Sequence, residues 1–143
     1  MQDDVTKLRE TLQKVDFFYS LRFEELDQLI KALRKRKVAK GTVIIRQGEV
    51  GDAFFLISEG RVSVNIKKGV LAGQKKVAEL MAGDFFGEMA LVTDEPRTAT
   101  VIAEEPTELF VLYKSDFKKI LLANPRISEI IKSELQKRKS QNK

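Results

Sequence analysis

The sequence contains no cysteine, no histidine and no tryptophan, and only three prolines and two tyrosines. The first two absences remove whole classes of chemistry. There is no thiol nucleophile, no imidazole base, no disulfide framework and no His or Cys metal site, which leaves only hard cations held by carboxylates as candidate metals. Long apolar runs are missing as well: none approaches the roughly 20 residues needed to cross a bilayer. No apolar signal segment follows Met1, where Asp3, Asp4, Lys7 and Arg9 come first, so a cytoplasmic location without a membrane span is expected. What is present is a globular composition, 43% hydrophobic and 33% charged over 143 residues, enough for one domain. A net charge of +5 favours anionic ligands in general without demonstrating nucleic-acid binding.

The stretch Asp84 to Ala103, DFFGEMALVTDEPRTATVIA, does not read as ordinary core filling. Aromatics are broken by Gly87, Glu88 places a carboxylate in an apolar run, and the chain returns through Pro96 to Arg97. Gly87 permits a tight turn, and the GEMAL segment after it is long enough for about one helical turn, whose unpaired N–H groups suit an anion. Arg97 supplies a planar fork of donors that matches two phosphate oxygens. Glu88, an acceptor, suits hydroxyl donors such as those of a ribose. A sugar phosphate satisfies both. The competing reading is a mutual ion pair between Glu88 and Arg97, nine residues apart, closing a hairpin.

These residues resemble the phosphate-binding cassette of the cyclic nucleotide-binding domains found in cAMP- and cGMP-dependent kinases, cyclic nucleotide-gated channels and catabolite activator proteins. The cassette reads aliphatic or Phe, Gly, Glu, any, small, aliphatic, a spacer, Arg, Ser/Thr/Ala, Ala. Here these are Phe86, Gly87, Glu88, Met89, Ala90 and Leu91, a five-residue spacer, then Arg97, Thr98 and Ala99. A second family signature, an aliphatic pair followed by spaced glycines and an apolar block, is met from Ile44 to Gly60. The resemblance implies that Glu88 binds the ribose 2′-OH and Arg97 the cyclic phosphate. Amides near Gly87, Ala90 and Thr98 would add phosphate contacts. Thr98 bears on the base: Thr here is associated with cGMP in the family and Ala is common in cAMP sites, but some members with Thr prefer cAMP. No guanine reader is assignable in the final helix, so cAMP or cGMP stays open with a slight lean to cAMP.

The rest of the chain fits the same architecture. Val5, Leu8, Leu12 and Val15 have helical spacing, and a second helix is expected from Ser20 as N-cap through Leu26, Leu29, Ile30 and Leu33. The basic run Arg34 to Lys37 reads as the solvated end of that helix. From Val38, short extended segments are punctuated by glycines, and Val62, Val64 and Ile66 alternate with polar residues as in a half-buried strand. Lys67 to Lys76 reads as an exposed hairpin, Val77 to Leu80 leads into the cassette, and Thr98 to Ala103 and Leu109 to Tyr113 read as strands. Ser115 is a candidate cap for Asp116 to Leu122, and Asn124-Pro125 for a final helix with Ile127, Ile130, Ile131 and Leu135 as its stripe. The last seven residues read as a frayed basic tail.

The predicted fold is mainly β with flanking α: a β-barrel or jelly roll with N-terminal helices and a C-terminal lid helix. The expected division is an N-terminal helical adapter over 1–37, a cyclic nucleotide-binding barrel over 38–113 containing the cassette 84–103, and hinge and lid helices over 114–143. The expected function is a regulatory module without catalytic activity or cofactor, whose ligand is cAMP or cGMP and whose binding moves the C-terminal helix. An effector domain or protein is the expected further partner. A DNA-binding regulator of the catabolite-activator kind needs a helix-turn-helix after the final helix, and nucleic acid is not an expected partner here. The remaining alternative is an interaction domain with an empty pocket.

Overall fold

The computed structural model describes residues 2–69 and 71–141. The chain divides into two units, Arg34–Lys114 and Met1–Leu33 with Ser115–Lys143. Among the described residues the first unit holds eight strands: β1 Arg34–Val38, β2 Val43–Ile45, β3 Ala53–Glu59, β4 Arg61–Lys67, β5 Gln74–Met81, β6 Phe85–Phe86, β7 Thr100–Ala103 and β8 Thr107–Tyr113. They form two four-stranded sheets, in the orders β1-β8-β3-β6 and β2-β7-β4-β5, and every pairing is antiparallel.

The core follows from side-chain alternation. Ala53, Phe55 and Ile57 of β3 and Leu109 and Val111 of β8 share a buried cluster with Val62 of β4, Val101 of β7 and Phe86 of β6. Residues two apart on a strand share a face, so each sheet turns one apolar row inward. Phe55 and Phe86 stack at 4.9 Å between ring centroids. The mainly β expectation is met, and of the two architectures named it is the jelly roll. No closed barrel forms, because each sheet keeps its own edge strands, β1 and β6 in one and β2 and β5 in the other. The chain passes from sheet to sheet at Gly60, whose φ of +100° is open only to glycine without strain.

The basic run Arg34 to Lys37 is not a helix end. Helix α2, Phe23–Ala32, stops before it, Leu33 is extended, and the run becomes β1, paired with β8 in the register Arg34 to Val111 through Val38 to Thr107. A free edge on β8 outweighs the helical preference of Arg and Lys. Lys35 lies 3.4 Å from Glu108 and over the Phe110 ring, and Arg34 lies over Tyr113. Charged side chains on an edge strand also discourage pairing with other chains. β4 and β5 pair up to Lys67 and Gln74 on either side of the predicted hairpin, whose Val70 lies outside the described residues, and Val77 to Leu80 is part of β5.

The helical unit contains α1 Gln2–Gln13, a 3₁₀ turn Asp16–Phe18, α2, α3 Lys114–Ala123 and α4 Pro125–Gln141, with Lys114 itself counted in the β unit. Ser20 does not cap α2; its hydroxyl donates to Glu134. Instead the Glu25 carboxylate reaches back to accept the Arg22 N–H at 2.8 Å, one half of a capping box. Glu25 also pairs with Arg126 of α4 at 3.2 Å. Phe17 and Phe18 meet edge to face, and Phe18 packs on Phe117. Asn124 serves both helices at their junction: its carbonyl accepts the Ser128 N–H, and its side-chain amide donates to the Ile120 carbonyl in the last turn of α3. Ile127 and Ile131 are buried, and Ile130 and Leu135 are half-buried. The predicted tail is helical to Gln141; Asn142 and Lys143 lie outside the described residues. No described helix is long and apolar enough to cross a membrane.

Candidate functional site

The cassette opens where β6 ends. Phe85 and Phe86 pair with Leu56 and Phe55 of β3, which fixes the start of the turn against the core. Gly87 then takes φ +79°, and Glu88–Leu91 forms a 3₁₀ turn. This is the helical turn expected from sequence, in its tighter form. Ala90 and Leu91 are buried and anchor it, leaving Glu88 and Met89 half-buried. The Ala90 N–H, expected to face a phosphate, donates to the Gly87 carbonyl at 3.2 Å. The Thr98 N–H has no protein partner among the described residues.

Arg97 is held from both ends. Its N–H donates to the Glu49 carbonyl at 2.7 Å and its carbonyl accepts the Gly48 N–H at 2.8 Å, so the glycine-spaced turn of the second motif grips its backbone. Pro96 forms an isolated bridge with Val50. The guanidinium donates from Nη2 to the Ala53 carbonyl at 2.7 Å and from Nη1 to the Gly87 carbonyl at 3.1 Å. With five N–H donors in the group, the remaining ones are available to a ligand. Gly51 makes this pose possible, since a Cβ there would sit 2.2 Å from the Arg97 Nε.

The electrostatics keep the cation in place. Burial pushes the Arg97 guanidinium below its ordinary pKa, and Asp52 and Glu88 act in the opposite sense. Among the described residues Arg97 forms no ion pair with Glu88, so the mutual-pair reading of the sequence does not hold.

Between these groups lies a cavity of about 420 Å³ lined by every residue singled out from the sequence: Phe86, Gly87, Glu88, Met89, Ala90, Arg97, Thr98 and Ala99. That volume is in the range of small-molecule sites. Ile45, Val64 and Val101 of the second sheet add an apolar part to the lining. Thr93 and Glu95 of the spacer complete the rim. The cavity thus offers a cation, a carboxylate and a hydrocarbon surface in one lining. Sequence reasoning missed the apolar wall, the spacer residues and the cradle of Gly51 and Ala53. The signals were present in the alternation of β4, which aims Val64 inward, and in the fixed spacing of Gly48 and Gly51.

Comparison with known proteins agrees with this geometry. Residues 35–124 match the family model described as cyclic nucleotide-binding domain. The chain is 40% identical over 131 residues to a cyclic nucleotide-gated potassium channel of Rhizobium etli, covering 92% of this chain and 35% of the channel. It is 37% identical over 105 residues to a cAMP-dependent protein kinase regulatory subunit of Blastocladiella emersonii, covering 73% of this chain and 26% of that subunit. Among solved structures, the regulatory domain of Toxoplasma gondii PKA, crystallised with cAMP, superposes with a TM-score of 0.73 at 29% identity, covering 98% of this chain and 51% of that one. The chain therefore spans only about a third or less of the length of these two curated relatives. With the family model covering most of the jelly roll and both motifs intact, the chain belongs to the cyclic nucleotide-binding domain family.

Proposed function

We propose that this chain is a non-catalytic receptor module that binds cAMP or cGMP in the cassette cavity and transmits occupancy through its C-terminal helices. One observation carries the reading: Arg97 and Glu88 line the same cavity without being paired to each other. A half-buried cation whose hydrogen-bond partners among the described residues are carbonyls, and which forms no ion pair there, keeps its charge for an anion. Glu88 is then free to accept the ribose 2′-OH, and the amides of Gly87 and Thr98 face the phosphate. The Ala90 N–H joins them only by sharing its bond within the 3₁₀ turn. Ile45, Val64 and Val101 supply the apolar surface for a purine. Thr98 is exposed at the rim, where its hydroxyl can reach a guanine amino group.

The output is a shift between two arrangements of α3 and α4, biased by the ligand's better contacts to one of them. A larger protein carrying this module, such as a channel or a kinase, would supply the effector. Calorimetric titration of cAMP and of cGMP tests the site and chooses the base together. Saturable heat with one or both nucleotides is expected, with cAMP the tighter. An absence of heat and of thermal stabilisation with both would replace the receptor by an interaction domain.

A further inference from the structure

Lys114 occupies a singular place in the chain, as the last residue of the β unit and the first residue of α3. Its side chain is only 15% exposed, unusual for a lysine, and two hydrogen bonds hold the ammonium. Nζ donates to the Thr93 carbonyl at 3.0 Å and to Asp94 Oδ1 at 2.5 Å, both in the spacer of the cassette. Thr93 is tied in turn to the 3₁₀ turn: its N–H and its hydroxyl both donate to the Met89 carbonyl, at 2.9 and 3.3 Å. The Lys114 backbone N–H donates to the Asp52 carbonyl at 2.8 Å, between Gly51 and Ala53, the two residues that shape the Arg97 pose. One chain of hydrogen bonds thus runs from the cavity through Met89 and Thr93 to Lys114, and a separate bond ties Lys114 to Asp52, whose neighbour Ala53 accepts from Arg97.

We propose that Lys114 is a positioning residue that fixes the cassette spacer to the start of α3, so that a ligand ordering the spacer also orders the first turn of that helix. The inference rests on the binding function proposed above and adds the route by which binding leaves the site. The carbonyl of Thr93 matters more than Asp94, whose carboxylate is 87% exposed and therefore well screened. A lysine suits the role because one ammonium can hold a carbonyl and a carboxylate at once while its stem crosses apolar surface. Lys114 does not line the cavity, so its removal acts on the ligand only through the spacer.

The test combines amide exchange with nucleotide titration on the whole chain. In the wild type, saturating cAMP or cGMP is expected to slow exchange both in residues 92–96 and in residues 114–117. In Lys114→Met the spacer still slows but 114–117 does not, and affinity falls about tenfold, the scale of a lost hydrogen bond to a charged group. Lys114→Arg restores both, and Asp94→Ala changes affinity less than about threefold. Equal slowing at 114–117 in Lys114→Met, with affinity within about twofold of wild type, overturns the proposal and leaves the binding site intact. Should the Met variant fail to fold, wild-type exchange decides alone: protection of the spacer without protection of 114–117 overturns it. A wild type that gives neither heat nor exchange change with either nucleotide removes the binding function itself, and the proposal with it.

Discussion

At the scale of single residues, the site depends on Arg97 being held in place by groups that do not neutralise it. Ala53 and Gly87 offer carbonyls, which orient the guanidinium but carry no charge. Arg97→Ala would leave a bound phosphate without its cation, by analogy with truncating one partner of a buried charge pair, and is expected to cost about 2 to 5 kcal/mol of binding. Glu88→Ala leaves only a ribose hydroxyl unsatisfied and is expected to cost about 1 to 3 kcal/mol. Titration of a fluorescent cyclic nucleotide analogue measures both, and unchanged affinity in the Arg97 variant would contradict the phosphate role. Gly51 provides a sharper test because it touches no ligand in this scheme. A methyl group there would meet the Arg97 Nε at 2.2 Å and its Cζ at 2.3 Å, and it is the flexible side chain that must move. Gly51→Ala should therefore weaken nucleotide binding by about 1 to 3 kcal/mol, an overpacking cost expressed at the site. Folding stability, followed by urea denaturation, should change much less.

At the scale of elements, the β3–β4 corner shows why the two sheets form at all. A Cβ on Gly60 would lie 2.4 Å from Thr107 Oγ1 and 2.7 Å from both the Pro106 carbonyl oxygen and the Thr107 Cα, and its φ is +100°. Neither backbone can yield easily, so Gly60→Ala is expected to lower folding stability by about 3 kcal/mol or more, combining dihedral strain with a backbone clash. A lower urea midpoint at unchanged slope would confirm it. This corner was legible as a glycine turn and β4 as a strand, but the alternation misjudged its faces: Ser63 and Asn65 are buried, while Val64 and Ile66 are half-buried. The tight turn at Gly87 was legible too, but glycine, a carboxylate and a guanidinium at this spacing left a Glu88–Arg97 ion pair open, and only the bonds of Arg97 to Ala53 and Gly87 set it aside. The strand Arg34–Val38 was not, since nothing local in RKRK announces the free edge of β8 that recruits it. Two sheets could not be told from a barrel for the same reason: edge strands are a property of long-range pairing, and alternation reports only which face of a strand is buried. Lys114 went unseen because its hydrogen bonds reach residues 20 and 21 positions away.

For the whole molecule, the composition that excludes catalysis by His or Cys also predicts how binding responds to pH. Burial lowers the Arg97 pKa from its ordinary value. A base with a depressed folded pKa binds its proton less firmly in the folded chain than in the unfolded one. Where those two pKa values bracket the pH, the unfolded chain carries more protons, and stability rises with pH. That window belongs to arginine titration, far above neutrality, so at neutral pH the guanidinium is charged in both states and its hold on a phosphate does not vary. The chain has no histidine to titrate in between. Nucleotide affinity is therefore expected to change less than about twofold between about pH 6 and 8, in contrast to sites read by an imidazole. Calorimetry at both ends of that range, in buffers of different ionisation enthalpy, measures the affinity and any proton taken up or released. A steep dependence or a substantial proton uptake would show that a carboxylate changes its protonation on binding, and the assignment of Arg97 as the dominant charge in the site would have to yield to a pair acting together.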